Sequence, residues 1–180
     1  MPARNSLPRR AAQLVFAALL SACAGYGGSG LKPGLSTRSD VLGSMGEPDL
    51  RWKDADGREQ LAYTRGPEGT ETYMVYLAAD GRLERIEAVL EPGHFARIEP
   101  GQSDQAAVLR LLGPPQPQMT VHFRHSGETA WRWRFCDSLS RQALFSVVFD
   151  ADTGLVRSTY QRPDYRFPGG EVPSCGQTHR

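Results

Sequence analysis

The sequence has 180 residues, with 21 lysines and arginines against 20 aspartates and glutamates, and a formal net charge of +1. A chain this close to neutral gives no electrostatic case for binding nucleic acid. The length allows one ordinary domain or two small ones, and no apolar run reaches the ~20 residues that a membrane-spanning helix needs.

Residues 1–22 have the layout of a secretory signal peptide. Three arginines come first, no acidic residue appears before Asp40, and residues 11–20 are largely apolar. The sequence Leu-Ser-Ala-Cys that ends at Cys23 is the pattern at which bacterial lipoprotein precursors are cut. We therefore predict cleavage before Cys23 and lipidation of its thiol. The alternative is an ordinary signal peptide with a chance cysteine at the cut.

The residue after the predicted lipid anchor is Ala24. Gram-negative sorting typically requires aspartate there for retention in the inner membrane, so Ala24 predicts the outer membrane, with the body in the periplasm. A diacylglyceryl group, usually with a third acyl chain such as palmitate, gives stable attachment. Cleavage leaves 18 basic and 20 acidic residues, a net charge of −2. Residues 23–34, rich in glycine, are predicted as the lipidated cysteine and a flexible tether.

Two further cysteines, Cys136 and Cys175, remain once Cys23 is assigned to lipid. In an oxidising compartment such a pair favours a disulfide, and two free thiols are the alternative. The bridge ties the C-terminal tail, residues 164–180, to the folded body.

The sequence contains one pattern twice, at an offset of 67 residues. This self-similarity predicts two tandem repeats, residues 35–92 and 97–163. The matched positions are Ser36 and Ser103, Val41-Leu42 and Val108-Leu109, Gly46 and Gly113, and Pro48 and Pro115.

Each repeat is predicted to begin with a short helix. Ser36 and Ser103 stand where a hydroxyl can cap a helix N-terminus. Gly46 and Gly113 stand where a helix ends in a left-handed residue, with proline just beyond. A helix of about two to three turns is not stable alone in water, so each one must pack on a sheet.

The segments after each helix alternate with a period of two, which predicts strands. In residues 131–135 the aromatic side chains take one side, and Arg132 and Arg134 take the other. The same alternation in residues 119–124 places His122 and Arg124 on the polar side. The predicted fold class is therefore α+β, with two tandem repeats that each pack a short helical segment on an antiparallel β-meander.

These repeated residues resemble the SmpA/OmlA (BamE-like) family of small outer-membrane lipoproteins. Two units in tandem look like the arrangement of β-lactamase inhibitory proteins, which share that fold. The resemblance extends to about Pro163 and implies the same fold and a role in outer-membrane protein assembly. It is carried by Pro33-Gly34-Leu35-Ser36, Met45-Gly46-Glu47-Pro48 and Asp80-Gly81, and by Pro100-Gly101-Gln102-Ser103, Leu112-Gly113-Pro114-Pro115, Trp131 and Trp133.

The sequence offers little catalytic or metal-binding chemistry. Its four histidines have neither the H-E-x-x-H spacing nor the Cys/His spacing of a zinc site. No nucleophile elbow and no phosphate-binding glycine loop is present. We therefore expect a chain that is not an enzyme, with no cofactor and no metal.

Two features are candidates for a binding surface. The first is Trp52, which stands in a polar stretch and is predicted to be exposed. The second is the predicted polar face carrying His122, Arg124, Arg132 and Arg134, which suits acidic groups on a partner or on lipid head groups. For the tryptophan, the alternative is that such aromatic residues only fill the core. For the polar face, the alternative is a sheet face that is simply solvated.

We therefore expect a lipid-anchored, periplasmic, non-enzymatic interaction module in outer-membrane protein assembly or envelope maintenance. Its expected partners are the membrane, through the lipid on Cys23, and an envelope protein, for which components of outer-membrane assembly are the candidates. No nucleic acid is expected as a partner. The alternative is an inhibitor-like protein that binds and blocks a periplasmic or secreted enzyme, which an exposed loop entering a cleft would favour.

Overall fold

The computed structural model describes residues 27–165 and 170–175. They form two four-stranded antiparallel sheets and a few short helices, so the predicted α+β class is confirmed. The predicted signal peptide and Cys23 lie outside the described residues. Within those residues, no helix combines the length and the apolar character needed to cross a membrane.

The N-terminal half contains one helix and the first sheet. Helix α1 is followed by four strands that pair in chain order, each antiparallel to the next. The elements are α1 (Arg38–Met45), β1 (Leu50–Lys53), β2 (Glu59–Arg65), β3 (Glu71–Leu77) and β4 (Leu83–Ala88). A 3-10 turn, Pro67–Gly69, joins β2 to β3.

The C-terminal half contains two helices and the second sheet, whose strands also pair in chain order. The elements are α2 (Pro92–Phe95), α3 (Gln105–Leu112), β5 (Val121–Phe123), β6 (Glu128–Cys136), β7 (Gln142–Asp150) and β8 (Val156–Pro163). A 3-10 turn, Pro117–Met119, precedes β5, so the strand predicted to begin at residue 119 is shorter than expected.

The helix N-termini are capped one residue later than predicted. Thr37 and Asp104 are in extended conformation, and each accepts a hydrogen bond from a backbone N–H of the first helical turn. The hydroxyls of Ser36 and Ser103 instead accept from the backbone N–H four residues earlier, at 2.9 and 3.0 Å. Each serine therefore closes the turn that leads into the helix, and its neighbour caps the helix.

Both long helices end at a glycine that has a positive φ. Gly46 has φ 77° and ψ −163°, and Gly113 has φ 76° and ψ −173°. The sequence predicted the left-handed helical conformation, but these ψ values are extended, in a region that is essentially restricted to glycine. The carbonyls of both glycines are satisfied from the adjoining sheet: Tyr63 donates its hydroxyl to Gly46 at 3.2 Å, and Trp133 donates its indole N–H to Gly113 at 3.3 Å.

Each helix contributes to a separate apolar core. Val41 and Met45 of α1 pack with buried side chains of the first sheet, namely Leu61, Tyr63, Val75, Leu77 and Leu83. Val108 and Leu112 of α3 pack with the second sheet, namely Trp133, Phe135, Ala143, Phe145, Val147, Phe149 and Val156. Each sheet thus buries one apolar face beneath a helix of its own half.

The first sheet has a second buried face, on the side opposite α1. Ala62 and Met74 on that side are fully buried. The Gln60 amide donates to the backbone carbonyl of Arg110 at 2.6 Å, and its oxygen accepts from the Arg110 guanidinium at 3.0 Å. A Cβ on Gly113 would lie 2.8 Å from Thr72 Cγ2. Helix α3 therefore lies between the two sheets and contacts both.

The segment between the two predicted repeats belongs to the second core. Leu90, Phe95 and Ile98 are all buried in it. The Phe95 ring stacks on Phe145 with centroids 3.9 Å apart and meets Phe135 edge-on at 5.0 Å. Helix α2 thus anchors the connection between the halves by inserting one aromatic ring.

The described part of the predicted tether packs on the first core. Leu31 lies against that core, and the Gly34 backbone N–H donates to the Leu83 carbonyl at 2.8 Å. A Cβ on the buried Gly28 would lie 2.7 Å from Ile86 Cδ1. Residues 28–34 are therefore part of the folded body and not a free linker.

Candidate binding surface

The second sheet has one face covered by α3 and an opposite face, here called the outer face. Residues paired across an antiparallel ladder point to the same side. Arg132 pairs with Ser146, and Ser146 with Tyr160, so these three side chains lie on the outer face. Ala130, Arg134, Leu144 and Val148 alternate with the core residues of β6 and β7 and lie there too.

The register of β5 separates two of the predicted surface residues from the others. His122 pairs with Thr129, on the side that faces the core, and its Nδ1 lies 3.0 Å from the Thr129 hydroxyl. Arg124 lies in the turn between β5 and β6. The expected set of four residues on one face is therefore reduced to Arg132 and Arg134.

Arg134 is held by charges from two other parts of the chain. Its side chain is only 12% exposed and forms an ion pair of 2.6 Å with Asp164, which is 8% exposed. It also lies 3.1 Å from the carboxylate of Glu68, in the turn between β2 and β3. Arg134 thus joins the C-terminal segment, the second sheet and the first half. Its charge is paired within the molecule, so it does not offer the free cation expected of the candidate binding surface.

Arg132 occupies a different environment on the same face. Its Nε is buried and has no hydrogen-bond partner among the described residues. Tyr160 stands beside it: partial burial acts to raise the pKa of the tyrosine hydroxyl, while polar contacts with Ser146 and Arg132 and the charges of Arg132 and Arg162 lower it, with a net pKa below 10.0. Arg132, Ser146 and Tyr160 thus form a row of polar side chains across the outer face.

The outer face is open at the end away from Arg134. The side chains of Phe123 and Tyr160 are 42% and 41% exposed. Val121 pairs with Ala130, and Ala130 with Val148, so these apolar residues lie between the two aromatic rings. We call Val121, Phe123, Arg132, Val148 and Tyr160 the open patch.

Sequence reasoning missed most of the open patch, because it placed Val121 and Phe123 on the core side. The available signal was the turn at residues 124–127, since a hairpin closed there sets Phe123 opposite Glu128 and reverses the faces assigned to β5.

Trp52 is part of the junction between the halves and is not an isolated exposed residue. It pairs with Gln60 on the buried second face of the first sheet and packs against the Ala62 and Met74 cluster. The Arg110 guanidinium lies 5.6 Å from its ring centroid. The expectation that Trp52 offers an exposed binding surface therefore does not match its place in the structure.

The C-terminal segment is attached to the second sheet beside the Arg134 end of the outer face. The sulfur atoms of Cys136 and Cys175 are 2.13 Å apart, in agreement with the disulfide favoured from the sequence. Gln142 donates its backbone N–H to Pro173, and Cys175 donates to Ser140, at 2.7 and 2.8 Å. The sheet therefore has one end held by the tail and the other end open.

No group of three or more histidine, cysteine or carboxylate side chains in residues 27–165 and 170–175 is arranged to hold a metal ion. No protein-family model matches the chain, and no curated protein and no solved structure shows a significant match to it.

Proposed function

We propose that this chain is a lipid-anchored, periplasmic, non-enzymatic interaction module in outer-membrane protein assembly or envelope maintenance. The observation that carries the proposal is the open patch. Two half-exposed aromatic rings, Phe123 and Tyr160, enclose small apolar side chains and one arginine. Aromatic residues and arginine are enriched in the centres of protein interfaces, where they supply most of the binding energy.

The proposed location rests on the residues around Cys23 and is supported by the cysteine pairing. A Cys136–Cys175 disulfide suits an oxidising compartment such as the periplasm. The body begins to pack at Gly28, and five residues of extended chain span at most ~18 Å. A lipid on Cys23 would therefore hold the first sheet close to the membrane.

The proposed ancestry is a duplication of one helix-on-meander unit of the SmpA/OmlA type. Helices α1 and α3 begin and end 67 residues apart. The serine hydroxyls before the helices and the aromatic donors to the ending glycines recur at equivalent places. The serines and glycines recur at an offset of 67 and the aromatic donors at 70, and these equivalent local bonds support two copies of one unit, as in the tandem arrangement of β-lactamase inhibitory proteins.

The lipid anchor is tested by Cys23→Ser. This substitution removes the thiol that accepts the diacylglyceryl group, so the precursor should remain uncut or lose its attachment to the outer membrane. Fractionation of the envelope measures both. A variant that is processed and partitions into detergent like the wild type would refute the lipoprotein assignment.

The open patch is tested by placing a photo-crosslinking residue at Phe123 or Tyr160 of the lipidated protein in its own envelope. We expect an adduct with one envelope protein from either position, identified by mass spectrometry. Leu35 and Tyr165, which are 68% and 56% exposed, are matched control positions away from the patch. Equal labelling from all four positions, or none from the patch, would contradict the proposed surface.

One observation favours the inhibitor-like alternative. Leu139 is 67% exposed at the tip of the turn between β6 and β7. Asp137 and Arg141 brace the turn with an ion pair of 2.9 Å, and the Cys136 disulfide lies at its base. A fixed, projecting apolar side chain suits insertion into a cleft, because little conformational entropy is lost when it binds. Under this alternative, a crosslinker at Leu139 should capture a soluble enzyme, and in a chain without the crosslinker Leu139→Asp should abolish binding of that enzyme.

A further inference from the structure

A cleft of about 430 Å³ lies between the first sheet and helix α3, on the other side of the molecule's core from the open patch. Its volume falls in the range of small-molecule sites, about 300–1,000 Å³. Three arginines line it, Arg85, Arg97 and Arg110, and no carboxylate of the described residues does. Arg85 and Arg110 are paired with carboxylates outside the cleft, so among the described residues Arg97 contributes the unpaired positive charge.

Two of the three guanidinium groups are fixed by neighbouring side chains. Arg85 stacks over the Tyr76 ring, 3.6 Å from its centroid, and donates to Glu87 at 2.7 Å. Arg110 is paired with Asp54 and donates to the Gln60 oxygen at 3.0 Å. These contacts hold both cations in place before any ligand arrives.

Arg97 differs from the other two. It is exposed, and no carboxylate in the described part of the chain forms an ion pair with it. Its guanidinium can therefore offer its full fork of donors to an incoming oxyanion, a geometry that suits two-point binding of carboxylate or sulfonate.

The floor of the cleft is apolar. Ile98 and Val108 are 6% and 1% exposed, and Leu111 beside them is partly buried. Because Ile98 and Val108 are nearly covered already, the gain comes from the ligand's own apolar group and from the partly buried Leu111, whose surfaces leave water together. An inorganic anion has no such group and would use only the arginines.

A smaller cleft of about 200 Å³ adjoins the first, and its side chains indicate at which end of the site the anionic group binds. The two share Gln60, Tyr76 and Arg85, but the smaller one is also lined by Asp54, Glu59 and Glu84. Three carboxylates face two arginines there, Arg58 and Arg85, so the anionic group belongs at the Arg97 end of the larger cleft.

From this geometry we infer that the cleft between the first sheet and α3 binds a small amphipathic organic anion, an aryl or alkyl carboxylate or sulfonate. Arg97 is the main ligand of the oxyanion, and Ile98 and Val108 form the apolar floor. The inference is independent of the proposed function, because it shares no residue with the open patch.

The probe is 1-naphthoate, titrated by calorimetry into the full-length mature chain that carries Cys23→Ser, with the disulfide intact. The uncharged isostere 1-naphthamide and inorganic phosphate are the ligand controls. We expect one saturable site for naphthoate and at least tenfold weaker binding of both controls. Equal affinity for naphthamide or for phosphate would overturn the amphipathic-anion assignment, and so would the absence of saturable naphthoate binding.

Two pairs of variants locate the site. Arg97→Gln should weaken naphthoate binding at least tenfold, whereas Arg124→Gln, at an exposed arginine in the β5–β6 turn, should leave it unchanged. Ala107→Glu places a carboxylate in the cleft, and Ala106→Glu places one on the same exposed helical turn outside the cleft. Only the first should reduce binding. If Arg97→Gln and Ala107→Glu both bind like the wild type, the site is not this cleft.

Discussion

The two eight-residue helices begin and end alike but have different surroundings. Helix α1 buries Val41 and Met45 against the first sheet. Helix α3 buries Val108 and Leu112 against the second sheet, and its Arg110 and Gly113 also meet the far face of the first. The same local sequence pattern therefore forms a helix that covers one sheet in the first half and a helix that packs between two sheets in the second half.

The shared layer has a consequence for stability. Because α3 belongs to both packing interfaces, a loss of structure in one half removes contacts from the other. The molecule should therefore unfold as one cooperative body, and the two halves should not melt separately. The predictions below test this comparison, beginning with the largest expected effect.

The largest effect is expected from truncating the aromatic residue that meets the ending glycine in each half. Trp133→Ala should lower the free energy of unfolding by about 3–5 kcal/mol, the usual cost for a buried aromatic residue. Tyr63→Ala is the counterpart in the first half, and Tyr63 is fully buried. Chemical denaturation should show a single transition for each variant, at a lower midpoint. Two separated transitions in either variant would contradict the shared role of α3.

Substitution of Arg134, which joins the two halves, should lower the free energy of unfolding by less than truncation of a core aromatic residue does. Arg134→Met leaves the carboxylate of Asp164, 8% exposed, without its cation. Breaking a buried ion pair in this way typically costs 3–5 kcal/mol, and we expect about 3 kcal/mol here because Glu68 is 41% exposed.

The matched control on the same face is Arg132→Met. Its cost should be about 1 kcal/mol, because Arg132 forms no ion pair in the described residues and loses only its polar contact with the Tyr160 hydroxyl. Thermal melts of the two variants give the comparison. Equal destabilisation by both would mean that the ion pairs of Arg134 do not join the halves.

The two ending glycines provide the most closely matched pair. Gly46→Ala and Gly113→Ala impose the same strained backbone, since φ is 77° and 76°. A Cβ at Gly46 meets no described atom within 4 Å, whereas at Gly113 it approaches Thr72 Cγ2 to 2.8 Å. We expect Gly113→Ala to cost about 1–3 kcal/mol more, the usual cost of overpacking a tight contact. Equal denaturation midpoints would show that α3 is not tightly packed on the first sheet.

The smallest expected effect concerns the turns between the last two strands of each sheet. In the second half, hydrogen bonds from Thr153 and Arg157 lower the pKa of Asp150 from 3.8 to about 2. A carboxyl whose folded pKa is depressed stabilises the protein above its unfolded pKa, and that contribution is lost as the pH falls from about 4 towards 2.

Asp150→Asn tests this contribution. At pH 7 the variant should unfold at a lower denaturant concentration than the wild type, and the gap should close between pH 4 and pH 2. Asp80→Asn is the control from the first half, where Asp80 accepts one backbone hydrogen bond, from Arg82 at 3.0 Å. A gap that does not change with pH would remove Asp150 as an acid-sensitive residue.

Several local features were predictable from the sequence because they depend on near neighbours. The offset of 67 located both helices, and the glycine positions located both residues of positive φ. The period of two in residues 131–135 correctly placed Trp133 and Phe135 in the core. The caps were missed by one residue, because Ser36 and Thr37 are both able to cap a helix and only the extended backbone of Thr37 decides between them.

The candidate surface was less predictable, because it depends on the pairing of β5 with β6. A shift of one residue in register exchanges the two faces of a strand. His122 therefore moved to the core side, and Phe123 moved to the outer face.

The sequence by itself determined which residues alternate, where the helices stop and which cysteines can pair. Those properties follow from backbone geometry and local chemistry. Only the tertiary structure decided that α3 is covered on both sides, that Trp52 faces Arg110 and that Arg134 is neutralised by Glu68 and Asp164. Periodicity fixes the side of a strand or helix to which a residue points, but what lies on that side is set by packing between segments far apart in the chain.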